Sequence, residues 1–374
     1  MKKLIAISVV FALVAGTAFA VDLGGAVIGT VDVAGASGGG DPELFGNGGN
    51  GRVRIEGSGD AEIGVGTVGG WLRFDATGGG VNIGGTDAVG AGLAWWQPIE
   101  QLKLQIGVNP DGHYDVSHIG RYGFYAQANE INNLVTADGN WGPVSFDKGV
   151  FGGYGDLHFA LIITPIDALS INIALPLNQA AALPDDEQPA VVFKKALFQA
   201  NYAADFGAIH VTYAGKGPGS QMGTIYGSFF LGMIENLGLE LGVGYTLVEA
   251  DTTKEPLGVA LGVSYDAGAF NIKLRTILEA AGETAPGVDK DLAVRVDVLP
   301  SYAVNDDVSI FGDIGVLLGD SDNFIWHFAP YVRIGQTWGP GFYAGIRLSN
   351  GTPYSTAKTD DVNWSVPIGI IVSF

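Results

Sequence analysis

The last thirteen residues, Val362 to Phe374, constrain this chain more than any other stretch. Val362, Trp364, Val366, Ile368, Ile370, Val372 and Phe374 are apolar, and Asn363, Ser365, Pro367, Gly369, Ile371 and Ser373 alternate with them. Successive side chains of a strand point to opposite faces, so a period of two makes one face continuously apolar and leaves the other small or polar except at Ile371. The run exceeds the ~9–11 residues that a tilted strand needs to cross a bilayer. Pro367 lacks the N–H that a ladder uses, so the strand must accommodate it somewhere.

A terminal phenylalanine after such alternation resembles the closing strand of Gram-negative outer-membrane β-barrels. In that family the barrel assembly machinery reads this segment. The resemblance therefore implies an assembly signal in Trp364, Ile368, Ile370, Val372 and Phe374. By itself the alternation would also suit an edge of a soluble β-sandwich.

The other end of the chain argues for export. Lys2 and Lys3 precede an apolar run from Leu4 to Val14, and Ala18-Phe19-Ala20 forms a small-residue cleavage site. This is the pattern of a signal peptide over residues 1–20, which leaves a mature chain over 21–374. No later stretch is apolar for eighteen residues, so lipid could be spanned only by a closed barrel. Hydrophobic residues make up 47% of the chain and charged residues only 16%, against about 25% in soluble domains. Glycine numbers 59 and is spread through the alternating segments. The crowded interior of a barrel tolerates it while lipid-facing neighbours supply burial. There is no cysteine, so stability must come from the hydrogen-bond ladder. The net charge of −20 becomes −22 without Lys2 and Lys3, which repels nucleic-acid phosphates.

Along the chain, a first strand runs to about Val33 and a glycine-rich loop covers Gly35 to Gly51. Alternating segments follow over Arg52 to Glu56 and Ala61 to Thr77. Gly64, Gly66 and Gly69 form a G-x-G-x-x-G, but strand pattern surrounds them and no helix follows, so the dinucleotide reading fails. Short connections near Pro165 to Ala168, Asp205 to Ala208, Glu235 to Leu237, Asp266 to Ala269, Asn305 to Asp307 and Gly339 to Gly341 alternate with longer ones. Outer-membrane barrels have short periplasmic turns and longer external loops. The pattern predicts an all-β fold, a transmembrane antiparallel β-barrel of sixteen to twenty strands, even in number. Twenty is the best count, with the weakest segments at Gly69 to Gly85 and Ala128 to Trp141.

Parity predicts the lipid face: Leu237 to Tyr245, Leu257 to Tyr265, Phe270 to Leu274, Leu292 to Val298 and Val308 to Val316, each at every second residue. Aromatics gather beside the short turns at Trp95, Trp96, Tyr202, Phe206, Tyr265, Phe270, Tyr302, Trp338 and Phe342, as in an interfacial girdle. The opposite parity carries a basic patch of Lys273, Arg275, Arg295, Arg333 and Arg347, with the acids Asp297 and Asp313. On the lipid face each charge would cost ~2–4 kcal/mol near the midplane, so this parity points to the lumen. The patch is either a selectivity element or a set of ion pairs on the lumen wall. It resembles the basic wall at the constriction of general porins. In that comparison the opposing loop is Asp111, His113, Tyr114, Asp115 and His118, which otherwise lie in an external loop.

The five histidines form no H-E-x-x-H, and there is no G-x-S-x-G, so an enzyme is not expected and no cofactor or metal is implied. The expected function is a porin for passive diffusion of small hydrophilic solutes across the outer membrane of a diderm bacterium. Its partners would be outer-membrane lipid and the assembly machinery, and the resemblance implies a homotrimer. The alternatives are a surface adhesin or structural barrel with a plugged lumen, and a transporter of hydrophobic compounds.

Overall fold

The computed structural model describes residues 20–36, 40–44, 49–77, 88–108, 158–177, 196–215, 221–248, 257–279, 282–285, 288–290, 292–318, 324–335, 340–351 and 358–373. Among these every regular element is a β-strand. In chain order they are β1 (Ala20–Ala36), β2 (Glu43–Leu44), β3 (Gly49–Glu62), β4 (Thr67–Thr77), β5 (Ala88–Ile99), β6 (Leu102–Val108), β7 (His158–Ile166), β8 (Leu169–Pro176), β9 (Leu197–Ala204), β10 (Gly207–Gly215) and β11 (Gln221–Ile234). There follow β12 (Leu237–Val248), β13 (Leu257–Ala267), β14 (Phe270–Glu279), β15 (Gly282–Ala285), β16 (Val288–Lys290), β17 (Ala293–Ala303), β18 (Val308–Leu318), β19 (Phe324–Gly335), β20 (Gly341–Gly345), β21 (Arg347–Gly351) and β22 (Lys358–Ser373).

Pairing is antiparallel between sequence neighbours, and the sheet returns on itself. β1 pairs with β3 from Ala20↔Asp60 to Val31↔Gly49, and its other edge pairs with β22 from Ala26↔Ser373 to Ala36↔Trp364. No edge is left to seek a partner, the condition for a sheet in lipid. The sheet holds twenty strands. β2 shares the β3 side of β1, and β20 and β21 are two halves of one position beside β22, so the ring has twenty less two, or eighteen, wall positions. β15 and β16 form a separate hairpin between β14 and β17.

Eighteen is fewer than the best count from the sequence, for a topological reason. β6 and β7 pair directly, from Leu102↔Ile163 to Gly107↔His158, and the predicted segment Ala128 to Trp141 lies outside the described residues. The predicted single segment Ala61 to Thr77 is in fact broken by a turn. Ile63 N donates to Gly66 O at 2.9 Å, and Gly66 has a φ of 75° that a side chain disfavours. In the glycine-rich stretch before it, β1 extends to Ala36 and Glu43–Leu44 pairs with Ala34 and Gly35.

The short connections fall where the sequence placed them. Two residues join β5 to β6, β7 to β8, β9 to β10, β11 to β12 and β13 to β14. At Glu235-Asn236, Asn236 takes a φ of 62°, which asparagine tolerates because its short polar side chain bonds locally. The predicted longer connections lie largely outside the described residues.

Pro367 is accommodated on both its flanks. On one side, the register with β1 shifts between Asp32↔Pro367 and Gly35↔Ser365, a bulge in β1. On the other, pairing passes from Ala344↔Ile368 to Arg347↔Ser365, and the break between β20 and β21 at Ile346 sits opposite. Ile346 N turns instead to Pro330 O at 3.0 Å.

Faces alternate as parity dictates. Leu241, Val243, Tyr245, Leu257, Leu261, Tyr265, Ile310 and Ile314 are exposed, and Glu240, Gly242, Gly258, Gly262, Phe311 and Asp313 between them are buried. On β22 the apolar residues from Val362 to Val372 are exposed or half-buried and Asn363, Ser365, Pro367, Gly369 and Ile371 are buried. Most of the girdle aromatics are exposed: Trp96, Tyr202, Tyr265, Phe270, Tyr302 and Phe342. Phe206 is half-buried, Trp338 lies outside the described residues, and Trp95 faces the other way. Its ring covers Gly69, where an added Cβ would come within 2.2 Å of it, and Lys103 Nζ lies 4.3 Å from the ring centroid. It therefore belongs to the inner face.

Candidate functional site

The inner face carries a row of mostly polar residues and glycines beside apolar patches. Glu240, Gly262, Arg275, Asp297, Gly315, His327, Ser349 and Asn363 are successive cross-strand partners from β12 to β22. Period two sends all eight to one face, and the register lines them up as one row across the strands.

The centre of this row is an ion-pair cluster around Asp297. Arg275 Nη2 donates to Asp297 Oδ2 at 3.1 Å, and Arg295 Nε donates to Oδ1 at 3.1 Å and lies 2.9 Å from Oδ2. Arg275 is 0% exposed and Asp297 1%. Beside them His327 Nε2 donates to Asp313 Oδ1 at 2.9 Å. Gly315 separates the two halves: a Cβ there would lie 1.9 Å from His327 Cε1 and 2.9 Å from Asp297 Oδ1. The missing side chain is what lets the imidazole lean toward Asp297.

Arg333 is held differently. Its guanidinium lies 4.9 Å from the Phe311 ring centroid, and Phe311 stacks on Tyr331 at 4.8 Å. Phe311, Tyr331, Tyr343 and Ile371 form a buried apolar cluster on this inner face. Arg347 is buried opposite Ser365, and Lys273 is half-buried two residues before Arg275.

On β8 to β10 the described inner-face residues form a network without carboxylates or cations. Asn172 Nδ2 donates to Gln199 Oε1 at 2.7 Å, Gln199 Nε2 donates to Thr212 Oγ1 at 3.3 Å, and Thr212 Oγ1 lies 2.7 Å from His210 Nε2. These residues are cross-strand neighbours on β8, β9 and β10.

Solved structures similar over nearly the whole chain include one described as "Asymmetric conductivity of engineered proteins", at 11% identity and a TM-score of 0.51. Two variants of the porin of Rhodopseudomonas blastica also match, at 12% and 11% identity and a TM-score of 0.50 each. Each comparison covers 95% of this chain and 100% of the other. The chain has the porin fold. No protein-family model and no curated protein matches it.

Within this porin-like barrel the five predicted cations do not form one open patch. Arg275 and Arg295 share Asp297, Arg333 covers an aromatic ring, and Asp313 pairs with His327 instead of a cation of the predicted set. Asp111, His113, Tyr114, Asp115 and His118 lie outside the described residues, as does Phe374, while Trp364, Ile368, Ile370 and Val372 are on β22.

The inner wall also holds charges that the sequence reading passed over. Arg73 Nε donates to Glu56 Oε1, Arg54 Nη1 lies 3.6 Å from the same oxygen, and the Arg73 guanidinium lies 5.0 Å from the Trp71 ring centroid. With Lys103 they form a second basic sector of the porin-like wall, on β3, β4 and β6. Their signal was present: Arg54 sits between Val53 and Ile55, Arg73 between Leu72 and Phe74, Lys103 between Leu102 and Leu104, and Glu240 between Leu239 and Leu241.

Proposed function

We propose that the chain forms an outer-membrane channel for passive diffusion of small hydrophilic solutes in a diderm bacterium. The observation that carries this is a closed ring of eighteen wall positions with a polar inner face and an apolar outer face. A barrel of about eight strands fills with its own side chains, whereas roughly sixteen to eighteen leave an aqueous passage. The paired cations of the wall would act as rivets between strands more than as a field on the solute, since buried pairs cancel most of each other's charge.

Export through a leader of residues 1–20 would remove only Ala20 from β1, which leaves the mature chain entering the barrel at Val21. The apolar face of β22 is the surface offered to lipid and, during assembly, to the barrel assembly machinery. A homotrimer is the assembly we expect from the likeness to porins. The mature protein added to a planar lipid bilayer should produce stepwise ohmic conductance, and liposomes carrying it should admit small sugars. A bilayer that stays silent would remove the channel.

One observation favours a second reading, a barrel with a filled interior whose external connections serve adhesion or surface structure. Arg275, Ile277, Tyr226 and Tyr343 are all at or below 1% exposed on the inner face. The same conductance measurement separates the two, because a filled barrel carries no current.

A further inference from the structure

We infer that this barrel selects cations over anions at its short-turn mouth, through a collar of exposed carboxylates, and not through the basic residues of its wall. The inference rests on the diffusion-channel reading above and names the class of ion that the channel favours.

Two independent distributions support it. The first is at the mouth. In or directly before the first four described short turns lie Glu62, Glu100, Asp167 and Asp205, and at the next three lie Glu235, Asp266 and the pair Asp306-Asp307. All are exposed, and no lysine or arginine lies in any of these turns. Glu62 accepts from Thr67 Oγ1 at 2.8 Å and Asp266 from Gly268 N at 2.9 Å, bonds that brace the turns and leave the charge in place.

The second distribution is that of the cations. Among the described residues with a defined exposure, every lysine and arginine is buried or half-buried: Arg54, Arg73, Lys103 and Lys273, then Arg275, Arg295, Arg333 and Arg347. Those with contacts given above are spent on Asp297, on Glu56 or on aromatic rings. An exposed carboxylate projects its field into the water that an ion crosses, and a buried, paired guanidinium does not.

Distance decides whether the carboxylates act together. Neighbouring strands are about 4.8 Å apart, so successive hairpin turns along the rim are about 10 Å apart. The Debye length is about 10 Å at 0.1 M salt and about 3 Å at 1 M. At low salt the fields overlap into one negative collar. At high salt each acts alone.

The test is the reversal potential of the full mature protein in a planar bilayer under a potassium chloride gradient. At low salt the wild type should prefer potassium severalfold, and the preference should shrink toward none at high salt. The variant E62Q/E100Q/D167N/D205N/E235Q/D266N/D306N/D307N should lose the low-salt preference while keeping its high-salt step size, which reports an intact barrel. In case so many changes impair folding, E100Q/E235Q should move the reversal potential part of the way. A wild type that prefers chloride, or either variant keeping the full cation preference, would overturn the inference. A silent bilayer would remove the channel and the inference together.

Discussion

Arg275 and Asp297 face each other as direct cross-strand partners on β14 and β17, with Nη2 and Oδ2 3.1 Å apart and neither side chain reaching water. Arg295, two residues along β17, closes on the same carboxylate, so one anion holds two cations. Charges this deep in the wall are tolerable only while each has its counter-charge, because neighbouring side chains shield them from the water of the passage.

Replacing Asp297 by asparagine keeps the shape and removes that counter-charge. Two guanidinium groups would then lose the carboxylate they share, a loss of about 3–5 kcal/mol. Unfolding of the D297N barrel in urea should move to clearly lower concentration. An unchanged midpoint would mean that the pair is not buried.

Gly315 marks the closest approach in the row. In G315A the new methyl group meets the His327 ring, and overpacking of this kind costs about 1–3 kcal/mol. Removing the ring as well, in G315A/H327A, should recover part of the stability, since the clash goes with it. If the double variant proved less stable than the sum of the two single changes, the ring would not be what needs the glycine.

The apolar outer face carries a depth signature. Leu241, in the middle of β12, should resist arginine by ~2–4 kcal/mol relative to alanine, and Phe270, at the short-turn end of β14, by only ~0–1 kcal/mol. Folding into vesicles at a series of urea concentrations measures both. Equal costs at the two positions would contradict a bilayer around this face.

The terminal strand separates assembly from stability. Phe374→Ser should lower the amount of barrel reaching the outer membrane in cells severalfold. The purified variant should refold in detergent as the parent does, because β22 keeps its pairing with β1 and β20 through the remaining residues. An unchanged level in the membrane would end the assembly-signal reading.

Facing was readable from the amino acids alone. Which side of a strand a residue occupies depends only on its parity, so Leu237 to Tyr245 and Val362 to Val372 could be assigned outward without knowing any neighbour. The alternation of short and long connections was equally local, since turn residues such as Glu235-Asn236 announce themselves. Strand boundaries were harder, because glycines at 64, 66 and 69 continue an alternating pattern straight through a turn.

The partners inside the barrel belong to another level. Asp297 meets one arginine two residues away and another 22 residues away. Parity puts all three on one face but cannot say which touch. That choice comes from register, and register is set jointly by every hairpin and by the closure of β1 on β22. A ring must match its first strand to its last, and only when it does are Gly315, His327 and Asp297 brought into one cross-strand row.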